Sequence, residues 1–240
     1  MTEEEIRKIL SGLSIPRVSV YTNLGLQPES KALIDAYFSL QEMSSHFFVP
    51  IQMLEVCLRN SIYHALCNRF PIDGNGKKWY ELLPISANGK TILRRAKSKS
   101  DENARRKRLK GYTEDDLVSN IMFGFWVHML EPIHADPKNN PYHFWQFELD
   151  NIFPGRNGKS VKSIFPELKR VNLYRNRLYH HEPVWKGKKA QNLNQAIDSL
   201  EREYSKIFEV IGWLSPEKVR YMTSMGYRTR FEECCRKYKK

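Results

Sequence analysis

The segment RVNLYRNRLYHHEPVW (170–185) gathers the side chains best suited to moving protons and holding phosphate. Within it Arg175, Asn176 and His180 form an R-N-x-x-x-H pattern, followed directly by His181, Glu182 and Pro183. On a helix Asn176 and His180 are i,i+4 neighbours, a spacing at which the amide can hydrogen-bond the imidazole and fix its tautomer. Arg175 projects about 140° away around the same helix, yet its long, permanently charged fork can reach back to a phosphate lodged near the histidine. Imidazoles ordinarily titrate at about 6.5, which suits general acid or base work near neutral pH. Arginine with histidine is a set that serves metal-free RNA cleavage. The 2′-hydroxyl attacks its own phosphate, the histidine moves protons and the arginine stabilises the developing charge. The competing reading is structural, because polar residues near a helix end also cap carbonyls or build buried networks.

A second copy of the pattern lies upstream. Arg59-Asn60-Ser61-Ile62-Tyr63-His64 matches Arg175-Asn176-Arg177-Leu178-Tyr179-His180 at four of six positions, 116 residues earlier. It reads either as a second half-site within one chain or as a core helix with Leu54, Leu58, Ile62 and Ala65 on one face. The core reading is favoured, since no H-E-P element follows and the helix is more apolar. FGFWVHML (123–130) likewise reads as core packing rather than base stacking. Other chemistries find no support. There is no phosphate-binding G-x-x-x-x-G-K-[ST] loop and no G-x-S-x-G elbow, and Trp185 stands where a zincin would place its second histidine. His180, His181 and Glu182 fan about 100° apart on a helix and do not converge on one metal. No metal and no cofactor are expected.

The charge indicates the partner. The chain of 240 residues carries 39 Lys+Arg against 27 Asp+Glu, a net +12. Ten basic and two acidic residues between Lys90 and Lys110 supply +8 of that. Arg94, Arg95, Arg105, Arg106, Lys107 and Arg108 are the candidate RNA contacts, acting on phosphates without reading sequence. A second basic stretch, Arg228 to Lys240, closes the chain. Solvated charge is the alternative for both. No apolar run approaches the ~18 residues of a membrane helix. The four cysteines (57, 67, 234 and 235) show no disulfide or zinc spacing. MTEEEIRKIL is acidic and helical in pattern rather than a signal peptide, so the chain reads as soluble and cytoplasmic.

The elements that must position these residues are helical nearly throughout. Thr2 and Thr113 are N-cap candidates, and Ser30 opens a stripe of Leu33, Ala36, Tyr37 and Leu40. Helices are expected over 30–46, 51–70, 113–130, 142–152 and 161–181, the last interrupted at Pro166 and stopped by Pro183, with further helices across 189–240. DGNGKK (73–78) reads as a turn and DPKNNP (136–141) as a loop. The basic block, an insertion at about 88–112, should be helical only in part, broken at Ser98 and Ser100. The expectation is an all-α helical bundle forming a single domain over 1–240, with a basic protrusion.

RNRLYHHEPVW, together with SNIMFGFWVHML (119–130) and LEVCLRNSIYHAL (54–66), resembles the abortive-infection (Abi-like) proteins of bacteria, members of the HEPN superfamily. That superfamily's signature is an arginine, four to six residues, then a histidine. The resemblance spans roughly residues 15–215, with the three motifs in the expected order. It implies a HEPN-like helical fold, antiphage or toxin behaviour, and metal-independent endoribonuclease activity at a site shared between two HEPN units. Arg175 and His180 match the signature, and Asn176 matches the polar residue that often follows the arginine. His181, Glu182 and Pro183 match the H-H-E-P extension of Abi-like chains, with Arg177 and Tyr179 in support. Arg59, Asn60 and His64 are the possible second half-site. Some members bind RNA without cutting, so the alternative is a non-cleaving module that holds a structured, antitoxin-like RNA. A helical protein–protein adaptor is a third reading. Because one chain's signature supplies one histidine where transesterification gains from two, a homodimer with facing 161–181 helices is expected.

Overall fold

The computed structural model describes residues 1–72, 74, 76–135, 138, 142–187 and 190–239. Among these residues every regular element is helical and none is a strand. In chain order they are α1 (Glu3–Leu13), α2 (Ile15–Val18), α3 (Lys31–Ser45), α4 (Phe48–Arg69), α5 (Trp79–Leu82), α6 (Ala87–Arg106) and α7 (Glu114–Asn120). There follow α8 (Phe123–His128), α9 (Trp145–Ile152), α10 (Val161–Tyr179), α11 (Leu193–Leu214), α12 (Pro216–Ser224) and α13 (Tyr227–Tyr238). The all-α expectation holds. Asp73 and Asn75 of the DGNGKK turn, all but Lys138 of the DPKNNP loop, and Lys189 and Lys240 of the C-terminal segment lie outside the described residues.

The helix starts follow from local chemistry. Thr2 Oγ1 accepts from Glu5 N at 3.2 Å while Glu5 returns a carboxylate to Thr2 N, and Thr113 and Asp116 repeat this reciprocal cap at the start of α7. Ser30 and Ser86 cap α3 and α6. Pro50 sits in the first turn of α4, where its missing N–H leaves no helical bond unmade.

Where the sequence reads as one domain, backbone contacts divide the chain into two compact units: Met1–Met53 with Leu173–Gly212 and Pro216–Lys240, and Leu54–Asn172 with Trp213–Ser215. The boundary falls within α4, α10 and α11. The first unit is built on aromatic residues. Phe47 lies 5.0 Å from Tyr174, 5.1 Å from Tyr204 and 5.5 Å from Phe231, ring centre to ring centre, and Trp185 meets Tyr21 edge-on at 5.3 Å. The C-terminal basic stretch is largely engaged here. Lys237 and Tyr238 bind Glu42, Lys239 bridges Asp198 and Glu201 at 2.8 Å each, and Arg228 covers the Phe208 ring at 4.4 Å. Those side chains hold α13 in place.

The second unit packs Trp79, Phe125 and Trp126 together, and separately Phe144, Trp145 and Phe153. Three expectations are corrected. The basic block is helical to Arg106 and non-helical over 107–112, but it is not broken at Ser98 and Ser100: α6 runs through both, Leu93, Ala96, Ser100 and Ala104 form its buried stripe, and Ser100 accepts from Asn120 Nδ2 at 3.0 Å. The expected helix 113–130 is two, because Ile121 and Met122 are extended. Ile121, Phe123, Phe125, Trp126 and Val127 are all buried, and no single helix face could bury so nearly continuous a run. Pro166 lies inside α10 without ending it, flanked by buried Ile164 and Leu168.

Candidate functional site

α10 ends in a specific way. Tyr179 is its last residue, His180 follows, and His181 takes the left-handed backbone conformation with φ 55°. His181 N donates to Leu178 O at 3.1 Å and Glu182 N donates to Arg177 O at 2.9 Å. Those two bonds satisfy carbonyls that a helix end otherwise leaves open, and the pattern ordinarily places glycine at the left-handed position. Pro183 then prevents continuation, and buried Val184 and Trp185 anchor the chain. The H-H-E-P run is therefore a helix stop, with a histidine held where its backbone is least comfortable.

The stop sorts the candidate residues. Arg175 and Asn176 are half-buried; Arg177, His180, His181 and Glu182 are exposed. The guanidinium of Arg175 lies 4.1 Å from the ring centre of Tyr179, and Tyr179 stacks on Phe48 at 5.4 Å and 22°. The expected link between the Asn176 amide and the His180 imidazole is absent; these residues are joined through the main chain, His180 N donating to Asn176 O at 3.0 Å. The tautomer of His180 is thus not set by Asn176. Arg177, His181 and Glu182 line an open cleft of about 540 Å³ with Ser14, Pro16, Arg17, Val20 and Pro183. Arg17 Nη1 donates to the His181 carbonyl at 3.5 Å. Two arginines, one histidine and one glutamate therefore line a single space large enough for a phosphodiester. His180 is exposed beside this cleft in sequence but does not line it.

Arg17 was not legible as a site residue. It follows Pro16 on the short α2, in no motif and no charge cluster, and only the fold brings it to the H-H-E-P turn. Arg175, by contrast, is committed to an aromatic ring on its own helix, a cation–π contact that its i,i+4 spacing from Tyr179 permits.

The upstream copy belongs to the second unit. Arg59 and Asn60 are half-buried and His64 exposed, the same distribution as in the downstream copy. Arg59 Nε donates to Asn60 Oδ1 at 3.0 Å. Burial, with a hydrogen bond to Cys67, pushes the Tyr63 phenol above its ordinary pKa. α4 continues to Arg69 past His64, so no left-handed stop follows this copy. Its Ile62 is fully buried with Leu54 and Leu58, as the core reading expects. Of the basic candidates, Arg94, Arg95, Arg105 and Arg106 are exposed along α6, with Arg106 paired to Glu102. Lys107 and left-handed Arg108 close α6 with the same two-bond cap, Arg108 N to Arg105 O and Leu109 N to Ala104 O.

Among the described residues no three His, Cys, Asp or Glu side chains gather as metal ligands, none of the four cysteines forms a disulfide, and no helix is long and apolar enough to cross a membrane. The fold and site thus define a class, an all-helical chain with an arginine- and histidine-lined cleft at a helix C-terminus. No protein-family model, curated protein or solved structure matches the chain.

Proposed function

We propose that this protein is a metal-independent endoribonuclease of the HEPN type, acting as an abortive-infection toxin in antiphage defence. The observation that carries the reading is the end of α10, where two exposed histidines, 180 and 181, follow one another beside a cleft holding Arg17 and Arg177. In this mechanism one imidazole takes the proton of the 2′-hydroxyl as its oxygen bonds to phosphorus. The P–O5′ bond breaks, the second imidazole gives its proton to the departing 5′-oxygen, and a 2′,3′-cyclic phosphate and a 5′-hydroxyl result. Arg17 and Arg177 hold the phosphate and stabilise its added charge. Arg175 supports the turn through Tyr179. RNA is both the substrate and the kind of molecule that would regulate the site.

A homodimer belongs to this reading. Leu173, 57% exposed, lies on the same face of α10 as Asn176 and His180, and is the apolar residue that a facing copy would cover. Opposing α10 helices across a two-fold axis would add a second His180.

The second reading, a non-cleaving RNA-holding module, is favoured by the use of Arg175 as a ring partner and of the H-H-E-P run as a helix stop. Incubating the protein with RNA in EDTA separates the two. Cleavage lost in His180→Ala with the fold intact supports the nuclease, and RNA retained uncut by the wild type supports the module. Undiminished cleavage by His180→Ala ends the proposed assignment.

A further inference from the structure

α6 turns its charges in more than one direction, and the sequence alone does not show which. Lys90, Arg94 and Lys97 are spaced i, i+4 and i+7, so they fall within an arc of about 60° on the helix. All three line a second open cleft, of about 430 Å³, in the second unit. Its lining includes Tyr80 and buried Leu83 and Ile85; Lys97 Nζ covers the Tyr80 ring at 4.6 Å, the place a base would take as Lys97 turns to a phosphate. Glu81 is the one carboxylate on the rim, so three cations face a single anion. Burial keeps the Tyr80 phenol protonated above its ordinary range, leaving it a neutral hydrogen-bonding group.

We infer that this cleft binds single-stranded RNA, with phosphates along Lys90, Arg94 and Lys97 and one base inserted against Tyr80. A polyanion alone would need only the cations. A row of cations beside an aromatic ring and an apolar lining matches the two halves of a nucleotide, since bases stack on aromatic rings whatever their identity while the backbone follows the charge. Successive cations rise about 6 Å and then about 4.5 Å along the helix axis, so they form one row that a strand's backbone can follow. An acidic peptide would satisfy the lysines and leave the apolar lining unused. A duplex keeps its bases stacked and could not present one to Tyr80. The site makes no use of Arg175 or His180, so it stands or falls separately from the nuclease assignment.

The test uses the full chain and a fluorescent single-stranded oligoribonucleotide of mixed sequence carrying 2′-O-methyl groups, which the proposed cleavage cannot consume. Replacing Lys90, Arg94 and Lys97 together with Gln should weaken binding on the order of tenfold or more and flatten the log–log salt slope by about 2, roughly 0.7 for each lost phosphate contact. Changing Arg7, Lys8 and Arg220 to Gln removes the same charge from exposed cations already paired with carboxylates, and should leave both quantities close to wild type. Tyr80→Leu should lower affinity for the single strand with the salt slope unchanged. Equal losses in the two triple variants would overturn the inference, as would tighter binding to duplex than to single strand, or displacement of the probe by polyglutamate as effectively as by RNA. Binding that follows the prediction in a protein that never cleaves RNA would leave this site intact and remove only the nuclease.

Discussion

His181 combines a backbone cost with a position on the cleft, and these can be separated by two substitutions. At φ 55° a side chain with a Cβ is strained, whereas glycine is not. His181→Gly and His181→Ala delete the same imidazole, so any difference in stability between them reports the backbone alone. Glycine should be more stable than alanine by about 1 kcal/mol, the usual size of the left-handed penalty at a helix end. For a chain of 240 residues that corresponds to a difference in Tm of about 2–4 °C. Thermal and urea unfolding of the two variants, read side by side, measure it. In the same preparations RNA cleavage should fall alike in both, because the lost imidazole and not the turn is what the chemistry needs. Equal stability of the two variants would mean that the turn does not form as described. Full cleavage by the glycine variant would mean that His181 is a helix stop and nothing more.

Three further outcomes follow. His134 is fully buried beside Phe144 with neither ring nitrogen hydrogen-bonded, and burial lowers its pKa to about 4 against an opposing pull from Glu131. The unfolded chain therefore binds a proton that the folded chain refuses between about pH 6.5 and 4, and stability should fall with pH across that window by roughly 2–3 kcal/mol. His134→Leu should remove that part of the acid limb, seen as the difference between the two proteins' urea midpoints at pH 7 and pH 4.5. Phe47→Ala opens the centre of the first unit's aromatic cluster and should cost about 3–5 kcal/mol in urea unfolding. Arg17→Ala should reduce cleavage at limiting RNA by about tenfold with the fold intact, and Arg17→Lys should not restore it, because an ammonium cannot serve the His181 carbonyl and a phosphate in one planar fork. Cleavage measured under single-turnover conditions decides that point.

The sequence exposes what local chemistry controls and conceals what distant packing controls. The caps at Thr2 and Thr113 were readable because a hydroxyl at the N-cap, joined by a carboxylate three residues on, satisfies its own helix end. The break at Ile121–Met122 was not, since no glycine or proline marks it and its cause is the burial of neighbours on more than one side. Ser98 and Ser100 suggested interruption of the basic block, yet a small residue at 100 lets the Asn120 amide bond directly to it. At the candidate site, the residues of segment 175–183 were visible, but the division between a cleft, lined by Arg177, His181, Glu182 and Pro183, and an aromatic stack, holding Arg175 and Tyr179, was not. Arg17, more than 150 residues away along the chain, carried no signal at all.

Whether the end of α10 cleaves RNA, as proposed, is tested most directly by the chemistry of the product ends. RNA incubated with the protein in EDTA should yield fragments ending in a 2′,3′-cyclic phosphate and beginning with a 5′-hydroxyl, and His180→Ala should yield none. Fragments ending in a 3′-hydroxyl, cleavage that requires a divalent metal, or cyclic-phosphate ends formed equally by His180→Ala would contradict the account.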